Sequence, residues 1–457
     1  MTPNAARRLA LASALGLWAS LLAASCGEEV SAPDTFLTVE QLMDPESCKE
    51  CHAEHYREWS GSMHAYASDD PIFVAMNARG QRETGGALGD FCVGCHAPMA
   101  VRTGATTDGL NLSELPRHLQ GITCYFCHNV VAVEGTHNNP LTLANDGIMR
   151  GGIKNPVPNT AHASAYSPLM DREELASADA CGSCHDIVND AGVELERTYK
   201  EWTETLFSNE AVEERLTCGG CHMDGRRGLA ADAPGVFLRR IHSHAMPGVD
   251  LALTPFPERE EQRRLVQRSL DTTLLARMCV EPSDGGAIVR IELENVAAGH
   301  SFPSGATQDR RAWVELIATA QEQEVFTSGV IAEGQPLTSL DDPNLWQFRD
   351  YIFNDEGEEV HMFWEATSSV SELIPGPSKL HDPDAEEEDH VSREYRLDAL
   401  PDRVTMRVRL RPMGLDILDE LIASGDLDPA IRDEIPTFDL LATVLTWTPE
   451  AVNGCVP

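Results

Sequence analysis

Cys48-Lys-Glu-Cys51-His52 is the first of five segments in which two cysteines, separated by two residues, are followed directly by a histidine. The other four are Cys92-Val-Gly-Cys95-His96, Cys124-Tyr-Phe-Cys127-His128, Cys181-Gly-Ser-Cys184-His185 and Cys218-Gly-Gly-Cys221-His222. Together they contain ten of the thirteen cysteines. This spacing is the attachment signal of c-type haem: both thiols form thioethers, and the histidine binds the iron. We therefore expect five covalently attached c-type haems.

Three other uses of paired cysteines fit the pattern less well. Zinc ribbons use Cys-x-x-Cys pairs but need no histidine after each one. A disulfide scaffold has no reason to place histidine after every second cysteine. A thioredoxin-like motif would occur once, within a strand–helix–strand unit. The repeated histidine favours haem, and covalent haem attachment takes place outside the cytoplasm.

The five motifs lie within residues 48–222, so little protein surrounds each expected haem. A chain segment this short cannot bury five separate hydrophobic cores. We expect the porphyrins to form much of the core, with short helices after the motifs and irregular loops between them.

Second axial ligands must come from histidines outside the motifs. A second histidine closes the iron to substrate, whereas an open position permits chemistry. Our candidates are His64, His137, His162, His242, His244 and His300. At least one of His242 and His244 is expected to bind iron, and the choice between them is open. For each candidate the alternative is a surface or hydrogen-bonded histidine.

His300 lies far from the motifs, in Gly299-His300-Ser-Phe-Pro-Ser-Gly305. Glycine and proline at the ends of a turn hold the residue between them on a rigid backbone. This suits a ligand that one domain donates into another. The alternative is a structural turn.

The pattern changes after residue 250. Residues 258–275 are charged with a helical rhythm, so a bridging helix is expected within 251–275. Apolar residues then alternate, which predicts strands at Ala287–Glu294, Ala312–Ile317, Val404–Leu410 and Phe438–Trp447, interrupted by a helix at Leu415–Ala423. Cys279 and Cys455 stand near the two ends of this region, and we expect a disulfide between them.

The predicted fold class is α+β. An N-terminal multihaem domain of short helices and loops packed around haems, residues 48–250, precedes an antiparallel β-sandwich-like domain, residues 276–457.

The N-terminus is typical of an exported protein. Arg7 and Arg8 precede an almost wholly apolar run, Leu9 to Leu22, which is too short to be a confident membrane span. The small residues before Cys26 resemble a bacterial lipobox. We expect a signal peptide at 1–25, lipid on Cys26, a linker at 26–47, and lipid anchoring in the periplasm, at the outer membrane or at the cell surface. The alternative is an ordinary signal peptide cut at a similar point.

The charge limits the partners. Lys and Arg number 35 against 73 Asp and Glu, a formal net charge of -38. Such a chain lacks the positive field that nucleic acid requires, and it repels anionic substrates. The expected partners are redox proteins, together with the membrane through the lipid anchor.

The motifs resemble multihaem c-type cytochromes of the cytochrome c-554 type. The segments that carry the resemblance are Cys48 to His52 with Trp59 and His64-Ala65, Gly121-Ile-Thr-Cys124, and His162-Ala-Ser-Ala-Tyr166-Ser-Pro168 leading to Cys181-Gly-Ser-Cys184-His185-Asp186. The chain is similar to a longer branch with a C-terminal β domain that carries the Gly299–Gly305 loop, and the resemblance covers roughly residues 44 to 450. It implies stacked haems, two histidine ligands at most irons, and electron transfer. The chain has five motifs, whereas the smaller members have four.

These observations predict an extracytoplasmic cytochrome with five haems that carries electrons between a membrane-side donor and an acceptor. The alternative is a multihaem reductase in which one open haem acts on a small nitrogen or sulfur oxyanion. A third possibility is a binding module in which the β domain docks the cytochrome to partners. No Cys-x-x-Cys-Lys variant marks a dedicated catalytic haem, and we assign no catalytic residue.

Overall fold

The computed structural model describes residues 36–213, 215–378 and 390–457. The expected signal peptide and Cys26 lie outside these residues. Within the described ranges, no helix combines the length and the apolar character needed to cross a bilayer.

The first half is built mostly of short helices, as predicted. The α-helices are Val39–Met43, Ala53–Ser60, Met63–Tyr66, Pro71–Glu83, Val93–His96, Pro98–Arg102, Cys124–His128, Ala176–Gly182, Thr198–Thr203 and Cys218–His222. Short 3-10 turns are Pro45–Cys48, Leu112–Glu114, Arg117–Leu119, Pro168–Met170 and Leu206–Ser208. Every cysteine–histidine motif forms, ends or adjoins one of these helical segments.

Local sequence features explain where the longest helix of this half, Pro71–Glu83, begins and ends. The Asp70 side chain accepts a hydrogen bond from the Ile72 N–H at 2.9 Å, which caps the first turn. Pro71 fits the first helical position, where its missing N–H is not needed. Gly85, at φ 62°, follows the C-terminus.

Only small strand pairs occur among the motifs. They are Val130–Val133 with Leu141–Leu143, Ile148–Gly151 with Ala163–Tyr166, Ile187–Val188 with Glu194–Glu196, and Gly225–Gly228 with Arg239–His242. The second of these pairs is parallel and the others are antiparallel.

The second half contains two larger antiparallel sheets. One has the order His390–Leu397, Gly286–Asn295, Leu274–Ser283 and Cys455–Val456. The other has the order Gln323–Ser328, Arg311–Ala320, Arg403–Arg411 and Phe438–Trp447, with Gln347–Phe348 also paired to Arg311–Ala320. All four predicted strands are present, each at its predicted position or extended by a few residues.

Alternating side chains of the two sheets form one core. Val289 and Ile291 on the first sheet and Leu316, Val408 and Leu440 on the second are fully buried in it. Opposed inner faces with alternating apolar residues are the arrangement of a β-sandwich. A disulfide joins Cys279 to Cys455 and so fixes the last short strand to the first sheet.

A third, smaller sheet, two α-helices and three 3-10 turns complete the described part of this half. The sheet has the order Glu359–Val360, Asp350–Phe353 and Ser368–Ser371. Further 3-10 turns are Leu337–Ser339, Pro429–Glu434 and Val452–Gly454. The bridging helix is Arg259–Leu270, shorter than predicted because the first strand already begins at Leu274. The predicted helix Leu415–Ala423 is present with the same bounds.

The two halves share a hydrophobic cluster. Leu418 and Leu421, on the helix Leu415–Ala423, pack with Ile72 and Met76 on the helix Pro71–Glu83. Arg82 and Asp426 form a salt bridge across the same contact. The β half is therefore packed directly against the motif-bearing half.

Candidate functional site

Four of the five motif histidines direct Nδ1 at a backbone carbonyl oxygen. The pairs are His52 with Ala230 at 2.7 Å, His96 with Ala67 at 2.9 Å, His222 with Pro247 at 2.7 Å, and His128 with Arg150. A histidine that donates from Nδ1 to a carbonyl keeps the lone pair of Nε2 free for a metal. These rings are therefore oriented as metal ligands.

Four motif histidines each face a second histidine at nearly constant spacing. The centroid distances are 6.3 Å for His52 and His162, 6.4 Å for His128 and His244, 6.1 Å for His185 and His64, and 6.4 Å for His222 and His300. Bonds from a metal to imidazole are about 2 Å long, which places the centroids of two rings on one metal roughly 6 Å apart. The four pairs have the spacing of two histidines on one iron.

Three of the opposing histidines also point Nδ1 at carbonyl oxygens. The acceptors are Ala163 for His162 at 3.1 Å, His242 for His244 at 3.0 Å, and Ser301 for His300 at 2.8 Å. Burial lowers the pKa of His300 to about 4 and that of His244 to about 3. Both rings are therefore neutral at physiological pH, which is the form that binds metal.

His64 reaches the fourth motif from the segment after the first. Burial lowers the pKa of His64 and that of His185 to about 4. The backbone carbonyl of His64 accepts from the Ile122 N–H at 2.9 Å. Gly121, at φ 63°, makes this approach possible, because a Cβ there would lie 2.8 Å from the His64 oxygen. The Gly-Ile-Thr segment before the third motif thus helps to place His64.

His300 is supplied by the β half, and residues of the first half hold its loop. Glu201 accepts hydrogen bonds from the Ser301 N–H at 3.2 Å and from the Ser304 hydroxyl at 2.7 Å. The Thr198 hydroxyl accepts from the Gly305 N–H at 3.0 Å. Glu201 belongs to the segment Thr198-Tyr-x-Glu201-Trp202, which resembles the longer cytochrome branch, but no sequence pattern predicted that it holds this loop.

Two of the candidate ligands do not lie opposite a motif histidine. His137 is exposed on a loop, its ring contacts the Thr136 hydroxyl at 3.1 Å, and no motif histidine lies opposite it. His242 contributes its backbone carbonyl to His244, and His244 is the member of that pair that faces His128. Spacing along the sequence could not separate these two from the others, because each pairing depends on the tertiary fold.

The second motif differs from the other four. Among the described residues, no histidine ring faces His96 at the spacing of the four pairs. Its ring stacks instead on Phe73, with centroids 4.1 Å apart and planes 4° apart. Phe73 lies on the helix Pro71–Glu83, and no sequence signal singled it out.

Cysteines of different motifs lie against one another. The thiol of Cys124 lowers the pKa of Cys48 through a hydrogen bond. Cys95 lowers that of Cys184 in the same way, and Cys218 lowers that of Cys181. The attachment points of motifs one and three, two and four, and four and five are therefore adjacent.

Buried polar atoms next to the third motif also fit a bound group. Thr123 and Asn129 flank this motif, and both are buried. Neither Thr123 Oγ1 nor Asn129 Oδ1 has a hydrogen-bond partner among the described residues. Natural proteins leave few buried polar atoms unpaired. Together with the thiols and oriented imidazoles, these atoms form a donor set that suits c-type haem.

Comparison with known proteins agrees with this chemistry. Residues 47–129, which contain the first three motifs, match the family described as "Cytochrome c554 and c-prime". A search of curated proteins found no match. The crystal structure of a penta-heme cytochrome c552 from Thermochromatium tepidum is similar, with a TM-score of 0.59 and 19% sequence identity. The match covers 90% of this chain and 98% of that one, so the likeness extends over both halves.

Proposed function

We propose that this chain is a multihaem c-type cytochrome, similar over residues 47–129 to the cytochrome c554 family, and that it transfers electrons outside the cytoplasm between a membrane-side donor and an acceptor. The carriers are five c-type haems, one for each cysteine–histidine motif. The observation that carries the proposal is the set of four histidine pairs with centroids 6.1–6.4 Å apart. Two histidine ligands close an iron to substrate and leave electron exchange as its role.

The thiol contacts support a continuous route. The first motif adjoins the third through Cys48 and Cys124, and the fourth adjoins the fifth through Cys181 and Cys218. Burial raises the pKa of Cys127, in the third motif, to about 12, with further contributions from Cys181 and Cys184 of the fourth. These thiol contacts support a route through motifs one, three, four and five in that order, with the second motif joining at the fourth.

The proposed location rests on the sequence. An apolar leader followed by small residues and Cys26 suits export and lipid attachment, and covalent haem attachment takes place outside the cytoplasm. A lipid anchor would hold the cytochrome near a membrane-side donor.

One observation favours a second candidate function. His96 has no histidine opposite it among the described residues, so an iron bound there would keep a position for a ligand. This suits reduction of a small nitrogen or sulfur oxyanion. We rank it below electron transfer because the net charge of -38 repels anions.

The haem count can be tested by intact mass. Protein from a host that matures c-type haem should exceed the mass of the processed chain by five haem groups. A smaller excess with free thiols would contradict the count.

The two functions can be separated by spectra and turnover. Electron transfer predicts that dithionite reduces every haem and that ferricyanide reoxidises every one. It also predicts no sustained consumption of nitrite or tetrathionate with reduced methyl viologen. Turnover that is lost in His96→Ala but retained in His300→Ala would establish the second function instead.

A further inference from the structure

A hairpin follows the fifth motif, and we name it the arginine hairpin, residues 225–242. Its strands Gly225–Gly228 and Arg239–His242 pair in antiparallel register. Side chains alternate between the two faces of such a ribbon. Arg226 and Ile241 occupy the inner face, where Arg226 pairs with Glu54 at 2.9 Å and with Glu58 at 3.0 Å.

The outer face carries two arginines side by side. Arg227 and Arg240 stand directly opposite each other in the register, and both are exposed. Like charges in this position destabilise paired strands. The chain has about twice as many acidic as basic residues, so this pair stands out against the charge of the whole molecule. Arg240 forms a salt bridge with Glu173 at 3.3 Å, whereas Arg227 has no ion pair among the described residues.

Exposed apolar side chains lie next to these arginines. Leu229, Phe237 and Leu238, in the connection between the strands, are 46%, 51% and 55% exposed. The Arg239 guanidinium lies over the Phe237 ring, 4.1 Å from its centroid. Arginine with aromatic and large apolar residues is the composition of protein–protein contact sites.

The arginine hairpin also touches the ligands of the first motif. The Ala230 carbonyl accepts the hydrogen bond from His52 at 2.7 Å, and the Asp232 N–H donates to the Cys51 carbonyl at 2.7 Å. The hairpin also contacts the segment that leads to His162, because the Arg239 guanidinium donates a hydrogen bond to Asn155 of that segment at 3.0 Å. A protein seated on the hairpin therefore lies close to the His52–His162 pair, at one end of the proposed route.

We propose that the arginine hairpin is the docking surface for a small acidic redox protein. One electron would leave the reduced partner and be accepted by the haem that His52 and His162 would hold, with no transfer of atoms. The inference rests on the proposed electron-transfer function. Charge complementarity selects an acidic partner, because Arg227 and Arg239 have no carboxylate partner among the described residues and attract acidic groups at short range, while the rest of the molecule repels them. A lipid surface, the other anionic occupant, would have no electron to exchange.

Flavodoxin hydroquinone, a small acidic one-electron donor, serves as the probe in stopped-flow measurements on the full haem-loaded protein. The advantage of the wild type over a charge-reversed hairpin should shrink as salt rises, because screening weakens a local attraction, and the wild-type rate constant at low salt is the reference. In Arg227→Glu/Arg240→Glu it should fall at least tenfold at low salt. The matched control, Arg396→Glu/Arg403→Glu, changes two exposed arginines of the β half by the same net charge and should alter the rate less than twofold.

Phe237→Ser keeps every charge and should slow the reaction severalfold if the apolar contact contributes. An equal loss in both charge-reversed pairs, or a loss in the hairpin variant that does not shrink as salt rises, would overturn the proposal. Dithionite should reduce every haem in all these proteins. If dithionite does not reduce every haem, the result would instead refute the electron-transfer function. Binding to phosphatidylglycerol vesicles that only the hairpin variant loses, with unchanged flavodoxin rates, would assign the surface to a membrane.

Discussion

Glu201 accepts hydrogen bonds from the Ser301 N–H and the Ser304 hydroxyl, at 3.2 and 2.7 Å. The acceptor lies on the helix Thr198–Thr203 of the motif-bearing half, and both donors lie in the loop of the β half that carries His300. Glu201 is buried, so these hydrogen bonds are shielded from competing water. They hold His300 opposite His222 without touching either ring.

Glu201→Ala should loosen this loop and weaken the ligand it carries. We expect part of one haem to become high-spin, which electron paramagnetic resonance would detect, while the total haem content stays unchanged. Glu201→Gln retains a carbonyl oxygen as acceptor and should restore most of the low-spin signal. Equal spectra for the alanine variant and the wild type would show that Glu201 does not position His300.

His300→Ala removes the ring opposite His222. One low-spin haem should become high-spin and bind carbon monoxide, because its iron loses one axial ligand. His137→Ala is the matched control, since His137 is exposed and faces no motif histidine. If carbon monoxide binding is the same in both variants, His300 is only a turn residue.

Cys455→Ser removes the disulfide to Cys279, a bond that joins two residues separated by 176 positions in the sequence. If the effect is purely one of chain entropy in the unfolded state, a disulfide that closes a loop of this length raises the free energy of unfolding by about 5 kcal/mol, which is an upper estimate. We expect a lower unfolding midpoint of the strand signal in circular dichroism. Reductant should lower the wild-type midpoint to the level of the variant and leave the variant unchanged.

The buried carboxyl of Asp309 should make the stability of the protein depend on pH. Burial raises the pKa of its carboxyl to about 7, although Arg311 and Arg310 oppose this rise. The unfolded chain loses this proton near its ordinary pKa of 3.8, so the folded state binds more protons between about pH 4 and pH 7. Stability therefore falls as pH rises through this window, by about 4 kcal/mol at most.

Asp309→Asn should flatten this decline and raise stability at pH 8 relative to the wild type. The check is the midpoint of guanidinium unfolding, followed by circular dichroism from pH 4.5 to pH 8. Asp355→Asn, at an exposed position, provides the control and should leave the slope unchanged. A variant of Asp309 with the slope of the wild type would contradict the prediction.

Cys26→Ala tests the proposed lipid anchor. Without the thiol no lipid can be attached, so the protein should move from the membrane fraction to the soluble fraction after cell breakage. The haem spectrum should stay the same, because Cys26 belongs to no motif. Continued membrane retention of the variant would exclude the lipid as the anchor.

The sequence predicted the haem chemistry and the sandwich strands because both depend on short-range patterns. Two cysteines and a histidine act within five residues, and alternation reveals a strand such as Phe438–Trp447 directly. The ligand pairs depend on contacts between distant segments, so His64 could not be assigned to the fourth motif from its position after the first. His137 was chosen by proximity alone, and the fold leaves it exposed.

The pairing of His222 with His300 also bears on biogenesis. A chain that stops before the β half would keep all five motifs and could receive every haem. It would lack His300, the imidazole that we propose closes the iron of the fifth motif, and carbon monoxide should then bind at that iron. Carbon monoxide binding would therefore distinguish a truncated chain from the full-length protein.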